Sequence, residues 1–213
     1  MKITKFGHCC LLLEIDGTRV ITDPGTFSTS QNEVEEVDAI LITHEHFDHY
    51  HIDSVKAILA KNPHAVVITN AGVGTLLTKE NIPFVLVGDG QQTEIKGVPV
   101  SGHGTEHAPI YGDMPKCENT AFFVAEKLFF CGDALFVPNV KVEILALPVA
   151  GPWMKISEAI DYARAVKPNV AFPIHDALYK PEIAVAFGRW PSEILSQFGI
   201  SFVPMNPGDT KEF

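Results

Sequence analysis

Cationic side chains are scarce in this chain. Sixteen lysines and arginines stand against 26 aspartates and glutamates, a formal net charge of −10 over 213 residues. No lysine/arginine cluster offers a basic face, so phosphate backbones and anionic membranes should be repelled, and neither nucleic acid nor membrane is an expected partner. Cysteine is equally sparse. Cys9, Cys10, Cys117 and Cys131 form no CxxC pair and are too few for a disulfide framework, which points to a reducing, cytoplasmic setting. No run reaches the roughly 18 apolar residues of a bilayer span, and MKITKFGHCCLLLEI reads as a strand rather than a signal peptide. No GxSxG offers a serine nucleophile.

What the chain does have is apolar patterning. Hydrophobic residues make up 46% and charged residues 20%, enough to bury a sizeable core. Lys2–Phe6, Cys9–Ile15 and Arg19–Thr22 are β-type runs, the last two joined by the hairpin dipeptide Asp16-Gly17. Val37–Ile42 is a further strand, Asp53–Lys61 and Val73–Lys79 have helical spacing, and Ala65–Thr69, Phe84–Val87, Gln92–Ile95 and Val98–Ser101 read as strands. The second half repeats the plan. A hairpin of Ala121–Ala125 and Leu128–Cys131 turns around Glu126-Lys127, and strands at Glu143–Leu147 and Val170–Ile174 flank a helix at Ser157–Val166. Helix within Pro181–Phe198 and a strand at Ser201–Val203 follow. No linker separates the halves. The expected fold is α/β, an αββα sandwich of two βα halves with sheets inside and helices outside, in one domain over 1–213.

The densest chemical feature is His44-Glu45-His46-Phe47-Asp48-His49, three histidines and an aspartate in six residues after an apolar strand. Alternation at a strand end would aim His44 and His46 the same way, at one metal ion, while the following turn aims Asp48 and His49 at a neighbouring one. Imidazole and carboxylate suit zinc, manganese or iron, with zinc favoured. A solvated histidine-rich loop is the plainer reading; a cluster this dense outweighs it.

HxHxDH after an apolar strand resembles the signature of the metallo-β-lactamase superfamily. Cys131-Gly132-Asp133-Ala134-Leu135 and Phe172-Pro173-Ile174-His175-Asp176 match its later aspartate and histidine. Phe6-Gly7-His8-Cys9, Ile21-Thr22-Asp23-Pro24-Gly25 and Leu147-Pro148-Val149-Ala150-Gly151-Pro152-Trp153 make the chain most similar to the L-ascorbate-6-phosphate lactonase-like branch of metal-dependent hydrolases. The resemblance implies that His44, His46 and His107 hold one ion. Asp48, His49 and His175 hold a second, and Asp133 bridges both. His103, directly after a strand, competes with His107 for the third place in the first site; the branch's loop register favours His107.

Two divalent ions about 3.5–4 Å apart would trap a hydroxide at neutral pH and polarise the group it attacks. Asp48 would take the proton and return it to the leaving group. Two such ions against Asp48, Asp133 and one hydroxide leave the site at about +1, a local focus for an anionic or polarised group in an acidic protein. The expected function is therefore hydrolysis of a small-molecule lactone, ester or phosphoester. A flavodiiron-type oxidoreductase normally carries glutamate where His46 stands. A nucleic-acid phosphodiesterase conflicts with the charge, and a metal-binding protein without turnover is the alternative outside enzymology.

Other residues carry less. Asp23 either orients a ligand imidazole or caps a turn before Pro24. His8 either faces the pocket or is satisfied by backbone, Trp153 packs in the core or walls the pocket, and His51 and His64 are surface residues. Specificity is expected from Thr26–Glu36, Ala108–Glu118 and Leu178–Trp190. Phe136, Trp153 or Phe187 would supply a homo-oligomer contact if exposed.

Overall fold

Alternation in Cys10–Ile15 (β2) sends Leu11, Leu13 and Ile15 to one face of a sheet and Cys10 and Leu12 to the other, and both faces are buried. That double burial sets the architecture in this computed structural model, which describes residues 1–179 and 181–213. Around β2 lie Lys2–Gly7 (β1), Thr18–Thr22 (β3), Ala39–Ile42 (β4), Val66–Thr69 (β5) and Phe84–Leu86 (β6). A short 3-10 turn covers Ser30–Glu33, and helices Ile52–Lys61 (α1) and Ala71–Lys79 (α2) follow β4 and β5. The second half contributes Gln92–Ile95 (β7), Val98–His103 (β8), Ala121–Val124 (β9), Leu128–Phe130 (β10) and Ile144–Pro148 (β11). Ile156–Val166 (α3), Val170–Ile174 (β12), Pro181–Ser196 (α4), Ser201–Phe202 (β13) and Thr210–Glu212 (β14) complete it.

Two seven-stranded sheets result, ordered β14-β1-β2-β3-β4-β5-β6 and β13-β12-β11-β10-β9-β8-β7. Each is antiparallel through its hairpins and parallel through its helix-connected strands, so the halves follow one plan. Between the sheets, Ile3, Leu11 and Leu13 meet Phe122, Phe130 and Phe172. Burying each of these large side chains contributes roughly 1.5–3 kcal/mol. Outside the first sheet, Val55, Ile58, Val73 and Leu77 of α1 and α2 cover Leu12, Ile40 and Ile42. Outside the second, Ala159, Ile160 and Ala163 of α3 and Leu195 of α4 cover Phe129, Leu145 and Leu147. The layers run helix, sheet, sheet, helix, as the patterning predicts.

The differences are local. The second hairpin turns on Ala125 and Glu126, both at positive φ, one residue earlier than expected. β14 is absent from the sequence reading because Thr-Lys-Glu has no apolar alternation; it pairs antiparallel with β1 as an exposed edge strand. No helix among the described residues is long and apolar enough to cross a membrane. Of the expected oligomer contacts, Phe136 and Trp153 are partly exposed and the Phe187 side chain lies outside the described residues, as does part of the Leu178–Trp190 stretch.

Candidate metal centre

Parallel strands deliver their C-terminal ends to one edge of a sheet, and here both sheets do so together. Asp23 follows β3, His44–His49 follow β4, Asp133 follows β10 and His175 follows β12. His8 enters from the β1–β2 turn, and His107 from the long connection after β8. Three of these residues, His8, Asp23 and His175, sit at φ of 50°, 35° and 58°, left-handed backbone that is uncommon outside glycine and clusters at functional sites.

The HxHxDH segment is not strand. β4 stops at Ile42, and residues 43–50 form a turn closed by hydrogen bonds from the His49 and Tyr50 amides to the His46 carbonyl. This corrects the expectation of strand alternation, because coiling rather than pleat brings His44 and His46 together. Two glycines make room for that turn. A Cβ on Gly25 would lie 1.9 Å from the Asp48 carbonyl oxygen. One on Gly132, at φ +60°, would meet Asn119 Oδ1 at 2.4 Å and Thr43 Cβ at 2.8 Å. Asn119 in turn accepts from the Asp133 amide and donates to the Cys131 carbonyl, fixing the Asp133 loop.

The predicted site residues converge in two groups. His44, His46, His107 and Asp133 form one set of mutually close ligand atoms, and Asp48, His49, His175 and His8 form another. Asp133 lies between them. Its Oδ2 is 3.3 Å from His107 Nε2 and 2.9 Å from His175 Nε2, while Oδ1 is 3.0 Å from His49 Nε2. His103 stays apart, with its Nε2 3.0 Å from Ser101 Oγ and its ring against Phe129. His51 pairs with Ser54 at the start of α1, and His64 is exposed.

A layer of hydrogen bonds sets the ring orientations. Asp23 accepts from the Thr43 amide (2.8 Å), the Thr43 hydroxyl (2.7 Å) and His49 Nδ1 (2.7 Å). Since the Thr43 proton goes to Asp23, Thr43 Oγ1 accepts from His44 Nδ1 at 3.0 Å. His107 Nδ1 donates to the Ala108 carbonyl. His44, His49 and His107 therefore all turn Nε2 toward Asp133. Asp23 is thus an orienting residue as well as a turn residue. Trp153, for which core packing was the plainer expectation, donates from Nε1 to Asp133 Oδ2 at 2.8 Å and lies against His107 and His175.

Ionisation follows from this crowding. Burial pushes His44 well below the ordinary histidine range, and its neighbour His49 pushes it further. Burial and His107 also lower His46. Burial opposes a charge on His49, yet Asp133 and Asp23 hold it well above the usual value. Asp133 resists burial in the same way, held well below the carboxylate range by His49, His107 and His175. Asp48 is brought down to about 2 because the His8 hydrogen bond and His49 outweigh its partial burial.

The donor set fits divalent cations. His49 Nε2, Asp133 Oδ1 and both His175 nitrogens are buried without an aligned hydrogen bond among the described residues, although Asp133 oxygens lie 3.0 Å from His49 Nε2 and 2.9 Å from His175 Nε2. Each such atom costs roughly 1–3 kcal/mol if left unsatisfied. His44 Nε2 and His46 Nδ1 face each other at 3.1 Å, close to the about 3.3 Å expected of two nitrogens on one tetrahedral zinc. Sequence reading had no firm signal for His8 or for Cys9, whose thiol lies with His49 and Asp133 beneath the centre. Both sit in an apolar run, where a buried structural role is the default.

Similarity to known proteins gives the family. Residues 2–175 match the family model described as a beta-lactamase superfamily domain. Protein Rv0786c of Mycobacterium tuberculosis is 38% identical over 206 residues, 94% of this chain and 96% of that one. A UPF0173 metal-dependent hydrolase of Thermoplasma acidophilum is 28% identical, covering 82% of this chain and 83% of its own. Igni18, a metallo hydrolase from Ignicoccus hospitalis, shares the fold at a TM-score of 0.77 and 21% identity, with 100% and 98% of the chains covered. With its HxHxDH turn, its later aspartate and its last histidine assembled at one sheet edge, the chain belongs to the metallo-β-lactamase superfamily.

Proposed function

We propose that the protein is a hydrolase of small-molecule esters, lactones or phosphoesters that works with two divalent ions. The observation that carries this reading is the position of Asp133 between two histidine-rich groups, with Nε2 of His49, His107 and His175 each within 3.3 Å of its carboxylate. His44, His46 and His107 would hold one ion, Asp48, His49 and His175 the other, and Asp133 both. When bound, such a pair lowers the pKa of water and polarises a carbonyl or phosphoryl oxygen. Asp48, ionised and partly buried, is the residue placed to accept a proton and pass it to a leaving group. Trp153 supplies a rigid wall above His107 and His175.

The narrower reading, carried by the resemblance to L-ascorbate-6-phosphate lactonase-like hydrolases, is a lactone or phosphate-bearing small molecule drawn by the local positive charge of the loaded site. The test is metal content per chain, by plasma mass spectrometry on protein purified without a chelating column, followed by an ester, lactone and phosphoester panel. About two ions with turnover, both lost in Asp133→Ala, is the expected result. Metal content and turnover unchanged in that variant would sink the binuclear reading.

A further inference from the structure

We propose that His8 is a positioning residue for Asp48 and so a determinant of the second ion site, an inference that rests on the two-ion reading above. Asp48 is the most exposed member of its group and is carried on a turn. Among the described residues, His8 is the one hydrogen-bond donor to its carboxylate, with Nε2 3.1 Å from Oδ2. The carboxylate accepts only, which places the His8 proton on Nε2. That contact keeps Oδ2 3.6 Å from His175 Nε2 and 3.8 Å from His49 Nε2, where one ion can engage all three.

Among the described residues, Asp48 is the one hydrogen-bond partner of the His8 side chain. The residue is 1% exposed, and its Nδ1 is buried without a partner. Its backbone is left-handed, beside a register irregularity between Lys5 and Gly7, an arrangement that costs the fold something. The turn is tied directly to the site, since the His8 carbonyl accepts from the His175 amide at 3.3 Å. Around the ring, His175 packs at 4.1 Å, Phe27 at 5.0 Å and His49 at 5.6 Å between centroids. These contacts leave the imidazole little freedom, so Nε2 is a fixed point from which Asp48 hangs.

The experiment titrates zinc alone into chelator-stripped protein against a competing chromophoric chelator, for the wild-type chain, His8→Ala, His8→Asn and His8→Gln. Asn tolerates the left-handed backbone, but its amide falls where Nδ1 sits, short of Asp48. Gln reaches the Nε2 position and restores a donor. The expected result is that Ala and Asn weaken the second zinc about 10–100-fold while the first is unchanged, and that Gln recovers most of the loss. Equal weakening of both ions with a lower melting temperature would assign His8 a merely structural role and overturn the proposal. Variants that bind the second zinc as tightly as wild type would also overturn it. Wild-type protein that takes one ion only would overturn the two-ion reading itself, and this proposal with it.

Discussion

Asp23→Asn probes how the second group of ligands is kept ready to bind. Asp23 is buried, and its carboxylate accepts from His49 Nδ1, the Thr43 hydroxyl and the Thr43 amide. A carboxylate cannot donate, so an ion-binding His49 must keep its proton on Nδ1 and present a bare Nε2 toward Asp48 and Asp133. Asparagine has the same size but places an amide NH2 on one side. With its oxygen kept on the Thr43 amide, the NH2 faces His49, whose Nδ1 then accepts and whose proton moves to Nε2. The lost charge-assisted bond is worth about 1.5–3 kcal/mol. At about 1.4 kcal/mol per tenfold, affinity for the ion held by His49 should fall about 10–100-fold. Asp23→Ala separates this effect from simple destabilisation. It leaves three donors unsatisfied and should lower the melting temperature more, yet it lets the ring choose its tautomer and should weaken zinc less. Competitive zinc titration and thermal melting of both variants read the two effects. An Asn variant that binds both ions as tightly as wild type would refute the tautomer reasoning.

Three further outcomes follow from the same geometry. His107→Ala should weaken the first ion by more than the roughly 10–100-fold typical of an outer partner, whereas His103→Ala should leave zinc stoichiometry unchanged; the reverse result would reassign the ligand. Lys5 is fully buried, with Nζ 2.6 Å from Asp176, 2.8 Å from the Pro173 carbonyl and 3.2 Å from the Met205 carbonyl. Lys5→Met strands those acceptors and should cost about 3 kcal/mol, a melting temperature lower by roughly 6–12 °C; an unchanged melt would show the pair contributes nothing. Cys117 is half-exposed, but burial raises its thiol to about 11. Since the thiolate is the reactive form, iodoacetamide labelling of Cys117 should be slow at pH 7 and rise roughly tenfold per pH unit toward 11. Rapid labelling at pH 7 would contradict this.

Much of the fold was legible before any coordinates. Continuous apolar runs such as Leu11-Leu12-Leu13 mark a strand buried on both faces, helical spacing at Val55, Ile58 and Leu59 marks an apolar helix face, and Asp16-Gly17 specifies a hairpin. These are local signals, carried by a few consecutive residues. HxHxDH was equally plain because its donors sit within six residues. The sequence by itself thus determined the layers, the acidic surface and the presence of a dense imidazole–carboxylate cluster. Only the tertiary structure decided how that cluster is completed. His8 and His175 are 167 residues apart yet pack at 4.1 Å between ring centroids, and His107 rather than His103 reaches Asp133. Such choices depend on where two sheets place their C-terminal edges and on loop paths opened by Gly25 and Gly132. No local pattern encodes them, because contact energy between distant residues exists only once the intervening chain has folded.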